Sequence, residues 1–337
     1  MKIAVDAMGG DFGPHVAVEG AIRASQEFKI EVLLVGVEKL IKKEFSKHKE
    51  YSAKVTIIDA PEAIGMSEGV FSFRKKKNSS IRVGAQLVKN GEANAFVSTG
   101  NTAAVVYISK KILGSLKGVD KPALALLVPT LQGLTLLIDV GANVDCRPQH
   151  LVQFAIMGRV FMENVLGLKN SRIGLMSIGE EESKGNELTK QVFEQLQLSS
   201  LNFIGNIEGK DIFSGKADVI VSDGFTGNVA LKASEGVIET FFFMVRNEIM
   251  KNFFAKLGYL LMKRNLNKLF KKVDYTEYGG ALLLGLNGVC IIGHGRSNVN
   301  AVKSAVKLAK DFVVSRIQDR IQQAMAREIQ IISEVES

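Results

Sequence analysis

The sequence predicts an α/β protein on a mostly parallel sheet, and three observations carry the prediction. Short runs rich in Val, Ile and Leu alternate with longer amphipathic stretches. Most of the runs are continuously apolar, as strands covered by helices on both faces require. Five of them end in polar, glycine-containing loops that lead into a helical pattern, as at the carboxyl ends of strands in an open parallel sheet.

In order along the chain, strands are expected at residues 2–5, 31–35, 54–58, 93–97, 124–128, 134–138, 172–177, 202–204, 217–221 and 289–292. Helices are expected at residues 15–28, 39–48, 80–90, 102–113, 148–166, 186–196, 228–252 and 298–328, where apolar positions recur at helical spacing. Residues 59–78 break the alternation and read as a long loop closed by four consecutive cations, Arg74 to Lys77: either a solvated surface run or an anion-binding lid. Only 5 Pro and no Gly/Ser linker occur in 337 residues, so a single α/β domain, in one lobe or two, is expected.

Composition excludes several classes. With 46% hydrophobic and 23% charged residues, ordinary globular values, general disorder is not expected. No apolar run is long enough to span a bilayer, and the N-terminus reaches Asp6 too soon for a signal peptide. Cys146 and Cys290 form no CxxC and fit a reducing compartment. Cys146 and His150 stand one helical turn apart but are too few for a metal site, so neither metal nor cofactor is expected.

The net charge of +8 is concentrated. Residues 241–272 hold eight cations and one acid, +7 in all, leaving the rest nearly neutral and ruling out a nucleic-acid-coating surface. Within this segment Phe253, Phe254, Leu257, Leu260 and Leu261 fall on one helical stripe, and Tyr259, Met262, Leu266, Leu269 and Phe270 on another. The change of phase near Gly258 predicts a helical hairpin over 240–273 with its tip at Gly258 to Met262, flanked by Lys256, Lys263 and Arg264. A membrane surface, an acidic protein or a dimer partner are the competing occupants, with lipid favoured for the tip at Leu260 and Leu261. Arg74, Lys75 and Lys76 form a second basic contact patch.

The five loops run from Asp6 to Asp11, Ser98 to Thr102, Asp139 to Asn143, Ser177 to Asn186 and Ser222 to Asn228. Glycine admits close backbone approach and helix starts offer N–H donors to anions, so a shared site for a small inorganic anion is expected, with Lys184 as a point charge. No GxxxxGK[ST] or GxGxxG is present, which makes a nucleotide a poor fit. Two further residues stand in motif-like settings. Ser67 sits in a GxSxG without a preceding strand, and is read as a turn residue. His294, after a strand in GHGRSN, is either structural or catalytic.

DAMGGDFGP at the start, KKKNSS at 75–80, SxGNTxA at 98–104, DVGAN at 139–143, SIGEEESKGN at 177–186, DGFTGNVALK at 223–232 and DYTEYGGALLLG at 274–285 together resemble the bacterial phosphate acyltransferases. The register holds from residue 1 to about 310, with Ala103 and Gly69 as departures in local loop shape.

The resemblance implies a three-layer α/β/α fold, similar to phosphotransacetylase and isocitrate/isopropylmalate dehydrogenase. It implies transfer of an acyl chain from acyl carrier protein to inorganic phosphate in phospholipid synthesis. It also implies a cytoplasmic homodimer, peripheral on the inner face of the cytoplasmic membrane beside a membrane-bound glycerol-3-phosphate acyltransferase, with no nucleic acid as partner.

On that footing Asp6, Gly9, Gly10, Ser98, Gly100, Asn101, Thr102, Asp139, Asn143, Gly185, Asn186 and Gly227 are expected to build the phosphate site. Lys184, Asn228, Asp223 and His294 are expected to act on the reacting groups, Lys184 and Asn228 by orienting phosphate or holding the oxyanion. At least half of the Asp and Asn residues are expected to cap helices or tie down loops instead. A nicotinamide-dependent dehydrogenase of the related fold and a non-catalytic lipid-surface protein are the alternatives.

Overall fold

The structure is a computed structural model that describes residues 1–48, 54–273 and 279–335. The first five residues of the DYTEYGG motif lie outside that range, as do the side chains of residues 267–273 in the basic segment.

Eleven strands form one sheet in the order β3-β2-β1-β4-β11-β10-β5-β6-β9-β7-β8. One half comprises β1 (Lys2–Asp6), β2 (Glu31–Gly36), β3 (Val55–Asp59), β4 (Ala95–Ser98) and β11 (Val289–Ile292), all parallel. The other half, β6 (Gly133–Ile138), β7 (Ile173–Met176), β8 (Phe203–Ile207) and β9 (Val219–Val221), is also parallel within itself. Between them lie β5 (Ala123–Thr130) and β10 (Ala281–Leu284), and β10 pairs antiparallel with both β11 and β5, as β5 does with β6. Three successive reversals make the two halves run in opposite directions. The expectation of five loops along one edge of one parallel sheet is therefore corrected: the loops leave opposite edges.

Register brings them together again. Ile292, the last residue of β11, stands opposite Ala281, which stands opposite Leu126 of β5. Ile138, the last residue of β6, stands opposite Ala125, the neighbour of Leu126. The halves are staggered along β5, so their carboxyl ends meet within one residue of each other at the middle of the sheet.

Helices cover both faces. On one lie α1 (Pro14–Phe28), α2 (Glu38–Phe45), α6 (Pro148–Val165), α7 (Glu187–Leu198), α10 (Val299–Ser315) and α11 (Ile317–Val335), packed on the side chains of Leu136, Ile138 and Ile291. On the other lie α3 (Val70–Lys75), α4 (Ser80–Lys89), α5 (Thr102–Leu113) and the start of α8 (Gly224–Lys251), packed on Leu124, Leu126, Leu137 and Ile292. Consecutive strand residues feed opposite cores, which is why these strands are apolar throughout.

Four details depart from expectation. The single C-terminal helix is two, broken at Arg316, whose φ of 50° is left-handed. The loop over 59–78 contains the short helix α3. Strand β10 went unassigned because four apolar residues between glycines carry no periodicity. Finally, the break between helices in the basic segment lies at Asn252, not at Gly258: α9 (Phe253–Val273) runs unbroken through Gly258, Leu260 and Leu261. The phase change there is accommodated because α9 has exposed apolar residues on both stripes, among them Phe254, Leu261 and Met262.

Candidate active site

Where the carboxyl ends meet there is a cavity of about 310 Å³. Leu124 and Leu126, two apart on β5 and so on one face, form its floor with Ala281 and Ile292. One wall is the first turn of α5, Thr102 and Ala103; the opposite wall is α8, with Asn228, Lys232 and Glu235; His294 and Ser297 close a side.

Two layers of buried polar groups hold these walls. In the first half Asp6, 1% exposed, accepts hydrogen bonds from Ser98 Oγ (2.7 Å) and the Met8 N–H (3.0 Å), while Ser98 Oγ accepts from the Gly100 N–H (3.0 Å). Burial pushes the Asp6 carboxyl above its usual range against those donors. A Cβ on Gly9 would stand 2.5 Å from the Gly100 nitrogen, so the β1 and β4 loops touch backbone to backbone and only glycine fits. Gly10 abuts the β11 loop, where the Asp11 N–H donates to Gly295 O (2.8 Å).

In the second half Asp139, fully buried, accepts five N–H bonds. Leu124, Gly141 and Ala142 donate their backbone N–H groups to Oδ1, and Asn143 donates its backbone and side-chain N–H groups to Oδ2. Asn143 also donates to Pro122 O (2.8 Å). Helix α8 rests directly on this loop: a Cβ on Gly227 would fall 2.0 Å from Asp139 O, and the Gly224 N–H donates to Asn143 O. That contact sets Asn228 and Lys232 over the cavity.

The helix starts are capped by the chain itself. Asn101, Asn186, Asp223 and Asn298 cap α5, α7, α8 and α10, and Asp223 also accepts the Thr226 hydroxyl (2.7 Å). Asn101 does more. Its Oδ1 accepts the Ala104 N–H, while Nδ2 donates to Met66 O (2.8 Å) and Glu68 O (3.1 Å), so one amide ties residues 65–68 to the helix start. The same segment is held by Lys76 Nζ, 2.6 Å from Glu68 Oε1 and from Ala63 O. Asn101→Asp keeps the cap acceptor but turns an anionic oxygen toward those carbonyls. Faster amide hydrogen exchange over 65–69, with α5 still protected, is the expected result; unchanged exchange there would contradict the tie.

Of the residues singled out from sequence, Thr102, Asn228 and His294 line the cavity. Asp6, Ser98, Asp139 and Asn143 lie buried behind its walls, and Gly9, Gly10, Gly100 and Gly227 make the close approaches. Asn101, Asn186 and Asp223 cap. Lys184 is exposed in the β7–α7 loop, beside Gly185 at φ +107°, and is not among the lining residues. Arg74 donates to Tyr107 (3.0 Å), and Lys75 lies over the Phe71 ring at 4.3 Å. Ser67 is in a turn. His294 Nδ1 accepts the Arg296 N–H (3.1 Å), and burial, then Lys232, pushes its pKa down, keeping the ring neutral at pH 7.

Lys232, Glu235 and Ser297 were missed. The first two had a signal, since 228, 232 and 235 follow helical spacing on one face of the predicted helix.

Residues 1–320 match the family model described as "Fatty acid synthesis protein". A "Phosphate acyltransferase" of Thermodesulfovibrio yellowstonii is 48% identical over 325 residues, covering 96% of this chain and 94% of that protein. Another, of Geobacter sulfurreducens, is 49% identical over 329 residues, covering 97% and 95%. Among solved structures, the EutD phosphotransacetylase of Staphylococcus aureus superposes with a TM-score of 0.60 at 14% identity, covering 93% of this chain and 94% of that one. A phosphotransacetylase of Streptococcus pyogenes gives 0.59 at 19%, with the same coverage. These structures share the fold expected from the sequence. Relatives nearly half identical from end to end settle the family: the chain belongs to the fatty acid synthesis proteins, alongside the phosphate acyltransferases, and is an acyltransferase.

Proposed function

We propose that the enzyme moves an acyl chain from the thioester of acyl carrier protein to inorganic phosphate, releasing acyl phosphate and the free carrier thiol. The cavity carries this reading: its floor is apolar and suits an acyl chain, while its rim gathers a helix start, an amide, an ammonium and a hydroxyl, which suit an oxyanion.

An oxygen of hydrogen phosphate bonds to the thioester carbonyl carbon, and the C–S bond breaks with its electron pair on sulfur. The phosphate proton ends on that sulfur. A thiol has an ordinary pKa of ~8.5, so the sulfur leaves without a strong general acid. What the protein supplies is position, a factor of ~7–11 kcal/mol when geometry is good, and oxyanion donors at ~3–4 kcal/mol each. Asn228, Lys232 and the first turn of α5 are donors at the cavity, whereas Lys184, exposed in the β7–α7 loop, is not among its lining residues. Asp6, Asp139 and Asp223 have oxygens engaged by protein donors, and serve to hold loops rather than to face phosphate.

The α8–α9 pair exposes Phe241, Phe243, Phe253, Phe254, Leu260 and Leu261 among cations, and no described helix is long and apolar enough to cross a membrane. We assign this pair to the homodimer and to peripheral contact with an anionic membrane, where a membrane-bound glycerol-3-phosphate acyltransferase would take the product.

One assay tests the reaction. Acyl carrier thioester should disappear, and acyl phosphate appear, only when phosphate is supplied. Phosphate-independent thioester loss, or a requirement for a nicotinamide, would overturn the reading.

A further inference from the structure

We propose that Lys232 is the cation that holds the phosphate in the cavity and that Glu235 positions it, an assignment that rests on the reading of acyl transfer to phosphate. Among the described residues that line the cavity, Lys232 is the only Lys or Arg and Glu235 the only acid. The two are paired at 2.7 Å one helical turn apart, with the Glu235 side chain 15% exposed and that of Lys232 57%. The carboxylate is thus the sheltered anchor and the ammonium the reaching end.

An ammonium has three N–H donors and no acceptor, so one bond to Glu235 leaves two for a ligand. A doubly charged phosphate beside Glu235 alone would be repelled, whereas Lys232 between the two carboxylate and phosphate anions offsets both. The other charges nearby do not compete for this role. Arg296 is drawn to Glu239 (3.1 Å), one turn further along α8, and does not line the cavity. Across the cavity, Thr102 and Ala103 open α5, whose N-terminal end favours an anion between the two walls. His294 beside Lys232 is neutral, leaving the ammonium as the fixed positive charge.

Steady-state rates test the assignment, with phosphate titrated at saturating acyl carrier thioester and the reverse. Lys232→Met keeps the aliphatic stem and removes the charge. It should lower kcat/KM for phosphate about 100-fold while the KM for the acyl donor stays within about threefold, and Lys232→Arg should restore part of the loss. Glu235→Gln should raise the KM for phosphate about tenfold in the wild-type background and add nothing to Lys232→Met, since Glu235 acts through Lys232.

Circular dichroism and the melting midpoint establish folding; if Lys232→Met does not fold, Lys232→Gln is held to the same expectation. An unchanged KM and kcat for phosphate in a folded variant, or equal losses on both substrates, overturns the role of Lys232. Equal effects of Glu235→Gln in both backgrounds overturn the positioning. Failure of the underlying reading looks different, because the wild-type enzyme would then consume thioester without phosphate.

Discussion

Asp139→Ala is expected to cost at least about 4 kcal/mol of folding stability, near the upper end for one substitution in a domain stable by ~5–15 kcal/mol. The reason is the count of orphaned groups. Five N–H donors converge on this fully buried carboxylate, and of them only the Asn143 side-chain amide has a second described acceptor, Pro122 O. Each buried donor left without a partner costs about 1–3 kcal/mol, and water entering the vacated space recovers only part of that. Asp139→Asn is the sharper variant. Its volume is nearly unchanged, yet its new NH₂ must face either the Leu124, Gly141 and Ala142 donors or those of Asn143, so about 2–3 kcal/mol should be lost.

Urea denaturation reads both, as a lower midpoint at an unchanged slope. Activity should fall further than stability explains, because α8 sits on Asp139 O through Gly227, and a shifted loop carries Asn228 and Lys232 away from the cavity. A D139N protein with the wild-type midpoint would show that the carboxylate does not anchor this edge.

Asp139 also shows what the sequence made legible and what it did not. The motif DVGAN announced a special loop after a strand, because Asp, Gly and Asn together have few reasons to sit there. Whether its carboxylate faces a ligand or the loop's own N–H groups depends on where the chain after it turns, and composition is silent on that. The same ambiguity ran through Asp6, Asn101 and Asp223: each was marked by its place, and each spends its oxygens on backbone or hydroxyl donors.

The strands were legible because burial on both faces leaves an unbroken apolar run, and the helices because one face must meet the sheet. Strand direction was not. Alternating strand and helix implies right-handed parallel units, and nothing in the short run ALLL shows that β10 enters between β5 and β11 and reverses the second half. Only the register along β5 reveals that two opposed edges meet at one cavity. Lys232 was written into the DGFTGNVALK motif, one turn beyond Asn228. A Lys on an amphipathic helix is ordinarily a solvated residue, and only the opposite wall makes this one part of a cavity.

The hairpin leads to a second large effect. With the turn at Asn252, the apolar residues beside it are Met250, Phe253 and Phe254, at 58, 74 and 79% exposure, with Lys251 and Lys256 alongside. A full burial of each Phe side chain is worth ~1.5–3 kcal/mol, and each nearby Lys adds ~1 kcal/mol against anionic lipid. Phe253→Asp with Phe254→Asp should therefore weaken binding to vesicles of anionic phospholipid by roughly a thousandfold, losing ~4 kcal/mol of apolar contact and placing two anions against a negative surface. Flotation measures it: the wild-type protein should rise with the vesicles, and the double variant should stay in the dense fraction.

Leu260→Glu with Leu261→Glu, the pair that marks the tip if the turn lies at Gly258, distinguishes the two geometries. Those leucines sit two turns up α9, so their loss should leave much of the binding to anionic vesicles in place if only the turn inserts. Salt provides the second axis. Raising ionic strength should weaken the wild-type interaction through Lys251 and Lys256 without abolishing it, since the phenylalanine contact is not screened. If instead the Phe253/Phe254 variant floats as the wild type does and the Leu260/Leu261 variant does not, the flank of α9, and not the turn, is the surface that meets lipid. If neither variant changes flotation, the exposed aromatic residues belong to a protein partner, and the double variants should then alter the oligomeric state.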